Sequence, residues 1–408
     1  MNTLKTKLTK LPVVCGVAAL MTLNVNMKAT AVVLYDVTDI DSFINKYSST
    51  PTDINDSGQV GGYWDASGEP GRGFLWSNSN GVTNLATLPS WYNSIAFGIN
   101  NASQVVGFST ILDSAGAISQ ERPVLWSNNT ITDLGTLPGW DYTRAIDIND
   151  AGQIAGYSYG MGGSRALLWS NNTITDLGTL PGDNSSHAFD LNDTGQILGD
   201  SSYVEVFTDG DGKILYSASG VSRPVLWNNN SITDLSVTLP GKSVNATAIN
   251  NAGQIAGSVD SQQLKRTVAA LWTNNHLTPL GTLEGKYENY AVDLNDVGQV
   301  VGNANGSTSV IPFVWSSNTG MRNLNTLIDP SQGWKLLSAN AINNEGQIVV
   351  YGYKEQDFKG RALLLTPRYT EPVPEPWTIG STVLAGFGLA SLSYRQRRLR
   401  RYQRLQNN

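Results

Sequence analysis

Four aspartates, Asp53, Asp147, Asp190 and Asp293, each stand directly before an Ile-Asn or Leu-Asn pair. Gly98, Ala248 and Ala341 hold the same place in three further copies of the phrase. Acids that recur at one position of a repeat converge when the repeats close on themselves, and converging carboxylates could hold a cation. Calcium asks for roughly six to eight oxygen ligands, so four carboxylates read better as solvated acids lining a polar channel. A second candidate is Asp209-Gly210-Asp211-Gly212. Asp209 and Asp211 could open a calcium loop, but the later ligands of such a loop are missing and a hairpin turn explains the run. No metal or other cofactor is therefore expected, and Ca²⁺ at Asp209 and Asp211 is the weak exception. The chain has two histidines, His187 and His276. No P-loop, nucleophile elbow, zinc-ligand cluster or dinucleotide fingerprint occurs, so no catalytic residue is assigned. The single cysteine, Cys15, lies in the N-terminal apolar stretch, which leaves the rest of the chain without thiol chemistry or disulfides.

The elements that would position these residues come from one repeat. The phrase Ile54-Asn55-Asp56-Ser57-Gly58-Gln59 returns with its asparagine at Asn100, Asn149, Asn192, Asn250, Asn295 and Asn343, at intervals of 45, 49, 43, 58, 45 and 48 residues. Asn starts a turn by bonding to the backbone ahead of it, and the glycine supplies a positive φ between two apolar strands. Ser103 replaces that glycine in the second copy, which predicts a strained turn. A second phrase follows, such as Arg165-Ala166-Leu167-Leu168-Trp169, then a polar turn at Asn171-Asn172, then Ile174-Thr175-Asp176-Leu177. Each unit thus reads as four strands: into the Asn turn, out from Gln, up to Trp, and a last strand ending near Leu-Pro-Gly. Four-stranded units of this length suit propeller blades, and an open β-solenoid is the rival. The seventh unit lacks a fourth strand, whereas Tyr35 to Ile40 form an orphan strand whose Val-Thr-Asp-Ile matches Ile-Thr-Asp-Leu. The expectation is an all-β fold over 32–368: a seven-bladed β-propeller whose last blade is completed by the N-terminal strand.

Trp76, Trp126, Trp169, Trp227, Trp272 and Trp315 end the third strands and read as packing between blades. Other aromatics fall outside the pattern: Trp91, Tyr92, Trp140, Tyr142, Tyr287, Tyr290 and Trp334. They belong to the end of the ring that carries the irregular loops 110–121, 159–164, 200–222, 259–265 and 354–359. Variable loops with aromatics on a uniform scaffold make a binding surface, so these seven are the candidate binding residues.

The ends are patterned differently. Lys5, Lys7 and Lys10 precede an apolar stretch from Leu11 to Leu23, and Ala29-Thr30-Ala31 offers a small-x-small cleavage site. Residues 1–31 therefore read as a signal peptide cut after Ala31. Pro374-Glu375-Pro376 closes a linker, 369–376. An apolar run follows at 377–394, long enough to cross a bilayer as one helix, and then a basic segment, 395–408, carrying six arginines. This order resembles the PEP-CTERM sorting signal, which implies an exosortase-type processing enzyme, transient membrane anchoring and export to the cell surface of an exopolysaccharide producer. The two repeat phrases resemble HAF repeats of extracellular bacterial proteins, although the His-Ala-Phe element is degenerate here. Setting aside both ends, 32–372 has 17 basic and 32 acidic residues, a net charge of −15 that disfavours nucleic acid as a partner. The expected function is a non-enzymatic surface or matrix protein that binds a glycan, such as exopolysaccharide, or a surface protein. An extracellular polysaccharide hydrolase or lyase is the alternative.

Overall fold

The computed structural model describes residues 33–369, except 44–47, 67–68, 161, 209–213, 230, 237–243, 262–265, 275 and 307–308. Ala31, Pro374, Glu375, Pro376 and the apolar run at 377–394 lie outside the described residues. So do Asp209 and Asp211, although the strands on either side, Val204–Thr208 and Ile214–Ser219, do pair as a hairpin. Among the described residues no helix is long and apolar enough to cross a membrane. The helical pieces there include the short 3₁₀ turns Ile40–Phe43, Leu324–Thr326 and Pro330–Gln332. The transmembrane helix expected from the sequence finds no support in them.

Each repeat folds as an antiparallel meander. In the third unit the strands are Tyr142–Ile148, Ile154–Gly160, Gly163–Ser170 and Thr173–Asp176. The turn between the first two follows from the Asn phrase. Asn149 N–H donates to the Gln153 carbonyl at 3.0 Å, and Gly152 sits at φ +74°. Ser103 is held at φ +60°, where a side chain is unfavourable, but its hydroxyl donates to Gln59 Oε1 at 2.6 Å. Asn171 and Asn172, at φ +50° and +58°, make the tight turn into the outer strand. That strand is four residues long and mostly exposed, which leaves little free edge.

The sheets depart from seven independent blades. Five four-stranded sheets stand alone, and the second and third units merge into one eight-stranded sheet. The junction is a single parallel pair, Tyr142 with Glu121. Its cause is local: Arg144 holds Glu121 with two hydrogen bonds of 2.6 and 2.7 Å and draws the two strand ends together. The final sheet places Val33–Asp39 outside Gly360–Tyr369, with Val37 opposite Leu365 and Asp39 opposite Leu363. The N-terminal strand therefore completes the last unit as the sequence suggests. Tyr35 is buried there, and its N–H reaches the Leu327 carbonyl of the preceding unit at 2.8 Å.

The core lies between units. One cluster joins Val106 of the second unit to Ala145, Ile148, Ile154, Leu167 and Trp169 of the third. The next joins Ala155, Ala166 and Leu180 to Ala188, Leu191, Ile197, Val225 and Trp227 of the fourth. Five of the six repeated tryptophans are buried, and Trp315 is half-buried. Their role is the packing that their constant position implied.

Candidate functional site

At the turn end the repeat forms two rings. The Asn55 side-chain amide donates to the Asn100 carbonyl at 3.0 Å. The same bond recurs from Asn100 to Asn149, Asn192, Asn250, Asn295 and Asn343, and Asn343 donates back to Asn55 at 2.9 Å. One residue further on, backbone N–H groups donate to side-chain oxygens around a second circuit: Asp56, Asn101, Asp150, Asp193, Asn251, Asp296, Asn344 and back to Asp56. Both rings are explained by assembly, because each bond joins one unit to the next; the first ring pairs buried asparagines, and the second lies at the exposed rim. They surround a cavity of 170 Å³.

The other part of the axis is wider. Every inner strand has an irregularity just before its Asn phrase, for example between Ala145 and Asp147 and between Ala188 and Asp190. The extra residue breaks the two-residue alternation and is turned to the axis. Thr52, Phe97, Ile146, Phe189, Thr247, Val292 and Asn340 line a 360 Å³ axial cavity in this way.

Asp53, Asp147, Asp190 and Asp293 stand at its base, and Asp147 lines both cavities. They line the axial cavity as half-buried acids, as the sequence suggests, and they also bond to backbone groups. Asp53 accepts from Ile54 N–H at 2.7 Å and from Ile99 N–H of the next unit at 2.9 Å. Asp147 accepts from Ile148 and Leu191, and Asp293 from Leu294 and Ile342. Asp190 accepts from Ile249. The bulge delivers each carboxyl to a backbone N–H across the blade boundary, so these groups clamp neighbours. Burial pushes all four pKa values up, Asp293 to about 7, and repulsion from Asp147 adds to the rise at Asp53 and Asp190. Among the described residues no group of three or more acids, histidines or cysteines is arranged to hold a metal ion.

The candidate aromatics occupy the opposite end but do not converge. Trp91 is half-buried against the core of the second unit, beside exposed Tyr92. Trp140 is half-buried near Gly160. Trp334 packs on the last unit's core, with Lys354 Nζ 4.7 Å above its ring. Tyr287 is 59% exposed, and the Tyr290 hydroxyl donates to Glu288 at 2.8 Å. His187 lies near the start of the strand Ser185–Leu191 and His276 begins His276–Pro279, at opposite ends of their units, so they share no site.

Tyr142 alone among the seven joins a larger aromatic cluster, whose other members the sequence reading passed over. Tyr142 lies 5.4 Å from Tyr159, Tyr159 lies 5.9 Å from Tyr157, and Tyr157 meets His187 edge-on at 4.7 Å. Buried Glu121 anchors them. It accepts from Arg144 and from the Tyr159 hydroxyl, the latter at 2.9 Å. The Arg144 guanidinium lies 4.6 Å from the Phe108 ring and 5.1 Å from the Tyr159 ring. Burial opposes the charge of Arg144, but the bond to Glu121 holds its pKa up; burial and the Glu121 charge raise that of Tyr159. His187 Nδ1 pairs with Asp200 at 2.8 Å, and Ser222 donates to the same carboxylate at 2.6 Å. Despite the cost of burial, these bonds hold Asp200 below the usual carboxylate range. Ser222 bonds to the acid and not to the imidazole, so the trio lacks the order of a nucleophilic triad.

The signal for this cluster was present in aligned repeats. The residue five before each Asn reads Thr50, Ile95, Arg144, His187, Asn245, Tyr290 and Ser338. Its cross-strand partner reads Tyr63, Phe108, Tyr157, Asp200, Ser258, Asn303 and Tyr351. Two columns that vary inside otherwise uniform strands mark a surface the scaffold does not need.

No family model matches the chain, and no curated protein matches it. Similarity appears only among solved structures. Oligogalacturonate lyase from Vibrio parahaemolyticus aligns with a TM-score of 0.52 at 9% identity, over 81% of this chain and 93% of that one. A gluconolactonase from Xanthomonas campestris aligns with a TM-score of 0.35 at 10% identity, over 73% and 90%. TolB from Acinetobacter baumannii gives 0.38 at 11%, over 76% and 81%. The chain is an all-β protein with a β-propeller arrangement. At these identities the likeness to the lyase is one of fold alone.

Proposed function

We propose that this is an exported, non-enzymatic binding protein of the bacterial surface or matrix, engaging glycan through the loop end of a seven-bladed propeller. The observation that carries the reading is the contrast between the two ends of the ring. One end is consumed by assembly, with the Asn belt returning from Asn343 to Asn55. The other collects the non-repeating segments, the exposed Tyr92 and Tyr287, and the tyrosine and histidine cluster. Aromatic rings held on a rigid scaffold suit the apolar faces of sugars. In this reading the eight-stranded sheet acts as two blades, fused at one residue pair. The HAF-like repeats and the PEP-CTERM-like tail support export, processing by an exosortase-type enzyme and a place among exopolysaccharides.

The test is a glycan-binding screen paired with a turnover assay on the same polysaccharides. The proposal expects saturable binding without cleavage, weakened by Tyr92→Ala and Tyr287→Ala. Val297→Ser, at an exposed position of the turn end, should leave binding unchanged. Cleavage of a bound polysaccharide would make the protein an enzyme and overturn the proposal.

A further inference from the structure

The cluster spanning the second to fourth units has properties that narrow its ligand. Resting on the glycan-binding reading, we propose that Tyr142, Tyr157, Tyr159 and His187 form a subsite for one uncharged sugar ring, with Glu121 and Arg144 as positioning residues.

Three observations support this. First, the four rings are contiguous, with centroids 4.7 to 5.9 Å apart, and all are half-buried, so each keeps an accessible portion. Second, the platform is held before any ligand arrives. Glu121, 1% exposed, fixes Arg144 by two bonds and the Tyr159 hydroxyl by a third, and Arg144 also donates to Tyr159 at 3.0 Å. Such support lowers the entropy lost on binding. Third, the polar groups of the cluster are bonded to one another: Arg144 to Glu121 as an ion pair, and His187 Nδ1 to Asp200 at 2.8 Å. Among the described residues of the cluster, the arginine, Arg144, is already held by Glu121 and is not free for a uronate or sulfate. The neighbouring Asp141 is exposed, which further disfavours an anion. A cationic amino sugar would find each carboxylate of the cluster already bonded. Hydrogen-bonding capacity does remain. Among the described residues the Tyr157 hydroxyl and His187 Nε2 have no protein partner, and both suit sugar hydroxyls.

The competing explanation is that the cluster only staples units together, as the Tyr142–Glu121 pair does. Calorimetric titration of the full-length protein separates the two. The probes are neutral hexasaccharides of gluco, galacto, manno and xylo configuration, an oligouronate and an oligoglucosamine. The proposal predicts that a neutral probe binds. His187→Ala and Tyr157→Phe should each weaken it about tenfold with little change in melting temperature, and Tyr157→Ala should weaken it more. A melting shift in Tyr157→Ala does not affect the result from Tyr157→Phe, which keeps the ring. Glycan binding that none of these substitutions alters would overturn the subsite and leave the binding function standing. Preference for the oligouronate or oligoglucosamine would overturn the ligand class. Absence of binding to every probe would overturn the subsite together with the reading it rests on.

Discussion

Asp293 offers the sharpest perturbation, because its environment sets the sign of a pH effect. Its carboxyl accepts from Leu294 N–H and, across the blade boundary, from Ile342 N–H, both at 2.7 Å. Burial raises its pKa from 3.8 to about 7. The folded protein therefore keeps this proton to a higher pH than the unfolded chain does. The stabilising contribution is complete below the unfolded pKa and is lost as pH rises through the folded one, between about pH 4 and 7. A rise of about 3 units at 1.36 kcal/mol each corresponds to about 4 kcal/mol. With an unfolding entropy of about 0.7 kcal/mol/K for a domain of this length, that is about 6 °C in melting temperature. Asp293→Asn removes the titration and keeps the shape. Denaturation of both proteins from pH 4.5 to 8 should show the wild type losing stability relative to the variant as pH rises. Asp200, whose pKa is lowered, acts in the opposite sense but is common to both proteins and cancels in the difference. A difference that is flat with pH, or that grows in favour of the wild type, would refute the reasoning.

Three further expectations follow from other residues. Asn149→Ala removes amide bonds to Gln153 and Asn192 and leaves buried backbone groups unpaired, so urea denaturation should show a loss of about 2 to 4 kcal/mol. Tyr35→Ala empties a buried position of the closing strand, and its cost by the same assay should be about 3 to 5 kcal/mol, with greater aggregation as the edge frays. Replacing Pro374, Glu375 and Pro376 with alanine should leave an unprocessed, membrane-held protein in cell fractionation; normal maturation would discard the sorting role.

Much of the architecture was legible because the repeat writes it seven times. The Asn phrase specifies a turn, the Trp phrase a packed strand, and the orphan Tyr35 segment matched the missing fourth strand. What escaped was set by neighbours and not by the local pattern. The bulge that turns Ile146 or Phe189 to the axis hides inside an ordinary alternation, so the clamping bonds of Asp147 and Asp190 could not be read from it. The fusion of two units depends on Glu121 meeting Arg144, 23 residues away, which no single phrase encodes. The aromatic candidates were chosen for lying outside the repeat, which favoured link residues such as Trp91 and Trp334 that partly cap cores. Tyr157 lies inside the repeat, at a position where it varies, and was missed for that reason, while His187 was weighed only as a lone histidine.

The central claim divides the ring into an end for assembly and an end for recognition. Amide hydrogen exchange of the protein with and without a bound polysaccharide reads both ends at once. The account predicts added protection in 110–121, 141–144, 157–164 and 185–187, and none in the turns that begin at Asn55, Asn149 and Asn250. Protection concentrated in those Asn turns would contradict it.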